Sequence, residues 1–157
     1  MSCFKKIDDC SNTQELLDFA KNSSDWKNYF NFNTLEVPTS LLKRDCFYEK
    51  LFDIEPFQAG ILKMAPDSCY TWHQDSERGV TVNTLLDHEQ SFCFFAQDIE
   101  QINFPTVRLD YQIGAKYLFD TQTYHMVTNM SSPRYLLSIE FYKDKNYLNY
   151  NDLAAIF

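Results

Sequence analysis

Three side chains in this sequence have the chemistry and the spacing to hold a metal ion. His73 and Asp75 stand two residues apart, which on a β-strand puts both on one face. His125 follows much later, beyond the apolar run Tyr117-Leu118-Phe119. Two imidazoles and one carboxylate form the facial triad that binds non-haem Fe(II) and leaves coordination positions open. The same donors also suit zinc, so the donor set alone leaves the metal undecided. Nine residues past His125 comes Arg134, at the start of an apolar stretch. A guanidinium carried into a β-barrel needs an anion to meet it, and a carboxylate fits its fork best. The remaining histidine, His88, sits in the turn Asp87-His88-Glu89 and is expected to be structural.

Short strands must position these groups. From Pro56 onward the segments 57–64, 70–74, 80–86, 91–96, 115–119 and 135–142 are rich in aromatic or β-branched residues. Turn signals separate them at Ala65-Pro66-Asp67-Ser68, Ser76-Glu77-Arg78-Gly79, Gly114 and Ser131-Ser132-Pro133. This texture predicts a mainly β (α+β) fold, a β-sandwich or jelly roll, with helices packed outside it. The N-terminal part reads as helical. Asn12 and Glu15 have the shape of a capping box before Leu16, Leu17, Phe19 and Ala20. A second helix is expected to open at Thr39 or Ser40 and to run to Phe52, before Pro56. The stretch 26–37 has no clear pattern. The expected organisation is one domain over 1–157: helical support in 1–56, a jelly-roll core in 57–143 and a tail in 144–157.

Composition narrows the function classes. The chain has 157 residues, with 14 Lys plus Arg against 22 Asp plus Glu and a net charge of −8, which argues against a nucleic-acid binder. With 45% hydrophobic and 17% aromatic residues but only 3 glycines, it is a folded domain rather than a disordered chain. No apolar run reaches membrane-span length, so no membrane partner is expected. The first ten residues lack the apolar stretch of a secretory signal, and the 5 cysteines form no CxxC pair. A cytoplasmic location is therefore expected. Cys69, near His73, is expected to be a buried, inert thiol.

The combination of HxD, a distal histidine and an arginine nine residues on resembles the Fe(II)/2-oxoglutarate-dependent dioxygenases. Its wording is closest to the prolyl-hydroxylase branch and to small phage and marine bacterial members. Tyr70-Thr71-Trp72-His73-Gln74-Asp75 is similar to that branch's YxxHxD. Gly114-Ala115-Lys116-Tyr117-Leu118-Phe119 with His125-Met126-Val127 is similar to its glycine, apolar strand and H-x-V segment. The run from Pro133 to Tyr142 is similar to its RYxxSIxFY strand. The likeness covers roughly residues 57 to 143. It implies a double-stranded β-helix in which His73, Asp75 and His125 hold Fe(II) and Arg134, aided by Ser138 or Tyr70, binds 2-oxoglutarate. Asn83 stands near where the branch usually places a tyrosine for that co-substrate. The implied reaction uses O2 to hydroxylate an unactivated C–H bond, releasing succinate and CO2, with ascorbate as the in-vitro reductant. The implied substrate is an amino acid, a peptide or another small molecule.

Two other readings stay open on the residues alone: a cupin-like metal protein without 2-oxoglutarate, and a non-catalytic jelly-roll binding protein. Glu140 departs from the prolyl-hydroxylase pattern, which prefers an uncharged residue there. Strand alternation puts Arg134, Leu136, Ser138 and Glu140 on one face. If Arg134 points inward, Glu140 lies on the same face nearer the mouth, where it would receive a cationic substrate. The alternative is that Glu140 sits past the end of the strand in water, or pairs with Lys143 or Lys116. Arg78 is a further candidate for contacting substrate.

Overall fold

A computed structural model describes residues 2–30, 32–87 and 90–157; His88 lies outside the described residues. In chain order the elements are β1 (Phe4–Asp9), α1 (Thr13–Asn22), β2 (Lys27–Tyr29), β3 (Phe32–Glu36), α2 (Thr39–Leu42), α3 (Cys46–Ile54), β4 (Phe57–Met64), β5 (Ser68–His73), β6 (Val80–Asp87), β7 (Ser91–Ala96), β8 (Val107–Asp110), β9 (Ala115–Asp120), β10 (Tyr124–Asn129), β11 (Arg134–Phe141) and α4 (Tyr150–Ala154). The strands make two antiparallel sheets. The larger is ordered β1-β9-β6-β11-β4-β3-β2 and the smaller β5-β10-β7-β8. Together they form a double-stranded β-helix.

The two-residue period of the strands sorts side chains between two cores. On β11, Tyr135, Leu137, Ile139 and Phe141 face outward and are buried under the helices, with Leu16, Leu51 and Leu153 among the covering residues. Arg134, Leu136, Ser138 and Glu140 face the space between the sheets, as the alternation predicts. β6 divides in the same way, with Val80, Val82 and Leu86 outside and Thr81 and Asn83 inside. The outer core is continuous and apolar. Between the sheets, Leu85, Phe95, Leu109 and Tyr117 fill part of the interior, and the rest is an open cavity.

One charged pair locks the outer layer. Lys116, fully buried on β9, places Nζ 2.8 Å from Asp45 Oδ2. It also donates to the Asp9 carbonyl at 2.8 Å and lies over the rings of Phe47 and Tyr48 at 4.6 and 4.9 Å. Asp45 caps α3, its Oδ1 accepting from the Phe47 amide at 2.9 Å, while Oδ2 also accepts from the Ser11 amide at 2.9 Å. Burial pushes the Asp45 carboxyl pKa up, but Lys116 and the two amides outweigh it and hold the group below its ordinary value. Lys116, which also lies 3.3 Å from Asp8 Oδ2, thus joins α3, the end of β1 and β9.

Several local expectations need correction. Residues 1–56 are more than helical support, because β1, β2 and β3 all pair into the larger sheet. The capping box at Asn12 does not form; its Nδ2 instead donates to the Leu41 carbonyl at 2.9 Å, tying two segments together. The expected helix from Thr39 to Phe52 is two helices, since Asp45 starts a new cap. Residues 144–157 are not a loose tail: α4 has its own capping box, with Asn149 and Asp152, and buries Leu153. Gly79 packs so closely on the Leu148 carbonyl that a Cβ there would find no room. Cys69 is exposed, not buried. No helix among the described residues is long and apolar enough to cross a membrane.

Asp45→Ala is expected to destabilise the protein by about 3 kcal/mol, the lower end of the usual cost of breaking a buried pair, because Asp8 Oδ2 remains 3.3 Å from Lys116. Urea unfolding measures this. A loss below about 1 kcal/mol would show that Lys116 is satisfied without Asp45.

Candidate metal centre

β5 and β10 are neighbours in the smaller sheet, and their register sets His73 directly opposite His125. The ring centroids are 4.2 Å apart. Each imidazole is oriented in the same local way. His73 Nδ1 lies 2.7 Å from the Thr71 carbonyl, and His125 Nδ1 lies 3.0 Å from the Thr123 carbonyl. A carbonyl can only accept, so Nδ1 carries the proton and Nε2 keeps its lone pair for a metal. Asp75 Oδ1 is 3.7 Å from both Nε2 atoms. Three lone-pair donors therefore converge, all within 4.8 Å of one another. Such convergence is electrostatically unfavourable until a cation or protons fill the gap.

The turn between β9 and β10 fixes the HxD segment. The Asp75 amide donates to the Thr121 carbonyl at 3.0 Å, and Gln122 Nε2 donates to the Asp75 carbonyl at 2.9 Å. Arg78 holds the other carboxylate oxygen: its Nε and Nη2 both lie 2.7 Å from Asp75 Oδ2. Oδ1 is thereby left to face the histidines. Arg78 Nη1 also donates to Ser138 Oγ at 3.3 Å. Arg78, expected as a substrate contact, lines the cavity and is engaged with Asp75.

Burial, and after it the neighbouring His73, lowers the His125 pKa from the ordinary 6.5 to about 4. The ring is neutral at pH 7, as a metal ligand must be. Phe119 packs edge-on against it at 5.1 Å, and Tyr70 lies 4.0 Å from the His73 ring.

A cavity of about 490 Å³ opens from this centre between the sheets. Arg134 lines it and is only 3% exposed. Its Nε and Nη2 have no hydrogen-bond partner among the described residues. Tyr111 offers the nearest help, with its ring 5.4 Å from the guanidinium carbon and its hydroxyl in a polar contact. Desolvation lowers the arginine's pKa, and the neighbouring Tyr111 and Cys93 only partly offset it. A buried cation with idle donors is costly unless an anion arrives to meet them. That vacancy fits a carboxylate.

The structure brings all nine sequence-derived candidates to one cavity: His73, Asp75, His125, Arg134, Ser138, Tyr70, Asn83, Glu140 and Arg78. Glu140 pairs with neither lysine considered for it, because Lys143 binds Glu55 at 2.7 Å and Lys116 binds Asp45. Sequence reasoning missed Tyr111, Thr81 and the aromatic side chains Tyr29, Phe30 and Phe32, which also line the cavity. Tyr111 follows the short strand β8, in a region without a readable pattern. The three aromatics belong to the unassigned stretch 26–37.

No protein-family model and no curated protein matches the chain. Its fold is that of prolyl hydroxylases and other 2-oxoglutarate–Fe(II) oxygenases. A prolyl-4-hydroxylase from Pseudomonas putida superposes with a TM-score of 0.68 at 10% identity, over 90% of this chain and 92% of that one. A prolyl hydroxylase from Trichoplax adhaerens, in complex with a hypoxia-inducible-factor peptide fragment, gives 0.68 at 14% identity, over 88% and 83%. HygX from Streptomyces hygroscopicus, with nickel, 2-oxoglutarate and hygromycin B bound, gives 0.63 at 13% identity, over 89% and 82%.

His73→Ala, Asp75→Ala and His125→Ala are each expected to abolish binding of one Fe(II) or Mn(II) per chain in calorimetric titration, whereas His88→Ala is expected to retain it. An equal loss with His88→Ala would place the metal elsewhere. A second expectation concerns acid. Because the folded-state pKa of His125 is depressed, its contribution to stability is complete above pH 6.5 and is lost as pH falls toward about 4. In metal-free protein the loss should be roughly 3 kcal/mol across that window, and His125→Asn should flatten it. An unchanged pH dependence in that variant would mean that other groups govern the acid transition.

Proposed function

We propose that this protein is an Fe(II)- and 2-oxoglutarate-dependent dioxygenase that hydroxylates an unactivated C–H bond of a small molecule or peptide. The observation that carries the proposal is the buried Arg134, with two idle donors, in the same cavity as the converging donors of His73, Asp75 and His125. A metal site alone accounts for the second feature and leaves the first without a purpose. A metal protein that uses no 2-oxoglutarate is therefore the weaker reading, and a metal-free binding protein weaker still.

In this reading His73 and His125 present Nε2 and Asp75 presents Oδ1 to the iron. Bound iron, with 2-oxoglutarate and O2, would supply the oxidising chemistry that hydroxylates a C–H bond with release of succinate and CO2. Arg78 keeps Asp75 in one orientation by occupying Oδ2, so the ligand does not swing between its two oxygens. Arg134 takes the far carboxylate of 2-oxoglutarate through Nε and Nη2. Ser138, Asn83 and Tyr70 line the same floor and orient the co-substrate. Phe119 and Tyr70, packed on the two imidazoles, keep water from the ligand side of the centre.

The test is the co-substrate dependence of Arg134→Ala, assayed with Fe(II), ascorbate and O2 by succinate release. Losing a buried, charge-assisted pair is expected to raise the 2-oxoglutarate requirement about 100-fold or more, since ~3–5 kcal/mol is at stake. Metal affinity should stay within a few-fold of wild type. An unchanged 2-oxoglutarate requirement would remove Arg134 from the site. No succinate from the wild-type protein and no binding of 2-oxoglutarate would remove the proposal.

A further inference from the structure

The register of the larger sheet builds one row across four strands. Tyr29 of β2 pairs with Phe32 of β3, and the pairing of Asn33 with Lys63 carries Phe32 to the Met64 end of β4. Met64 in turn pairs with Arg134 of β11. All four side chains of the row line the cavity. Tyr29 is 52% exposed, and Phe30, which follows it and also lines the cavity, is 71% exposed. The row thus runs from solvent to the buried guanidinium. The rings of Tyr29 and Phe30 meet edge to face at 4.7 Å, and Tyr29 lies 5.5 Å from Phe32. Phe32 reaches across to Tyr70 of β5 at 5.6 Å, and Tyr70 packs on His73 at 4.0 Å. This aromatic wall starts in solvent and ends on a candidate metal ligand.

Packing on folding does not account for the wall. Tyr29, Phe30 and Phe32 belong to neither apolar core. Phe30 also has a φ of 50°, a left-handed backbone that asparagine or glycine adopts at lower cost. The co-substrate has no use for these rings either, since 2-oxoglutarate is an aliphatic dianion whose far carboxylate goes to Arg134. Charge narrows the ligand further. Arg134 is the charged member of the row and disfavours a cation beside it. Glu140, paired with Gln58, stands at the opposite end of β11, too far along the strand to offset that repulsion.

We infer that the substrate carries an uncharged aromatic ring, and that this ring seats against Tyr29, Phe30 and Phe32 at the Met64 end of the cavity. A ring gains there what a saturated chain does not: edge-to-face contact with the exposed aromatics and a sulfur contact with Met64. Leu62 and Val127, in the same cavity, add apolar surface. Once a carboxylate of 2-oxoglutarate meets Arg134, the row holds no unpaired charge, and a neutral ring costs least to desolvate. The inference names the substrate class for the oxygenase reading and rests on it, but its binding claim can be tested apart from that reading.

The experiment is an NMR titration of the protein with the N-acetyl amides of L-phenylalanine, L-cyclohexylalanine, L-leucine and L-lysine. It is run with and without Zn(II) and 2-oxoglutarate, which keep the loaded protein diamagnetic. In the loaded protein the phenylalanyl probe is expected to bind about fivefold tighter than its saturated cyclohexyl counterpart, and the lysyl probe weakest. The Met64 methyl and the amides of Tyr29, Phe30 and Phe32 should shift as the phenylalanyl probe saturates. Tyr29→Leu and Phe30→Leu, both at exposed positions, keep apolar surface but remove the rings. Combined, they should bring the phenylalanyl and cyclohexyl probes to within about twofold of each other. Equal binding of those two probes to the wild-type protein overturns the inference, as does no binding of any probe. So does a lysyl probe that binds tightest, an aromatic preference that survives both substitutions, or shifts centred on Glu140 instead of the hairpin. Binding of 2-oxoglutarate, measured on the same preparations, reports separately on the oxygenase reading: its absence removes that reading, whereas its presence with no aromatic preference removes only this one.

Discussion

A guanidinium buried inside a β-barrel with donors left idle is a debt that the whole fold must carry. Arg134 sits at the start of β11, the strand between β6 and β4 near the middle of the larger sheet. Desolvating such a group costs several kcal/mol, and only an anionic partner within its own cavity recovers the loss. The compensation comes from the other face of the same strand. Tyr135, Leu137, Ile139 and Phe141 are sealed beneath the helices in the larger apolar core. Alternation on one strand thus separates stability from chemistry: the outward residues hold the sheet, and the inward residues are free to be polar. An anion that fills the cavity should stabilise the chain by mass action, because it binds the folded state alone.

The convergence of the three candidate ligands depends on backbone pairing more than on side-chain packing. His73 and His125 are cross-strand partners, and each ring is steered by the carbonyl two residues before it in the chain. Asp75 lies beyond the strand, where a ladder cannot hold it, and the structure fastens it twice. Gln122 and Thr121 hold its backbone, and Arg78 holds its carboxylate. The loop that carries Arg78 is in turn braced by the contact of Gly79 with the C-terminal segment. The last residues of the chain therefore bear on the position of a ligand far from them in sequence.

Legibility in the sequence followed the period of the pattern. The strands 57–64 and 91–96 were readable to the residue, and those of β6, β9 and β11 to within one, because aromatic and β-branched runs ended at proline, glycine or serine turns. The inward face of β11 was readable from alternation alone. β1, β2 and β3 were not, because they are short, polar and mostly exposed on at least one side, so no apolar period marks them. The cavity-lining Tyr29, Phe30 and Phe32 escaped with them. Asn12 and Glu15 had the right spacing for a cap, yet a long-range partner, the Leu41 carbonyl, took the asparagine side chain. Local propensity lost there to tertiary contact, as it did where Asp45, held by Lys116, divided one expected helix into two.

The account stands on two adjoining vacancies, one for a divalent cation and one for a carboxylate. A crystal structure grown under nitrogen with Mn(II) and 2-oxoglutarate tests both together. The expected result is one metal ion bound by His73 Nε2, Asp75 Oδ1 and His125 Nε2, with a 2-oxoglutarate carboxylate on Arg134 Nε and Nη2. A metal bound elsewhere, or 2-oxoglutarate absent from a cavity in which Arg134 remains without a partner, would contradict it.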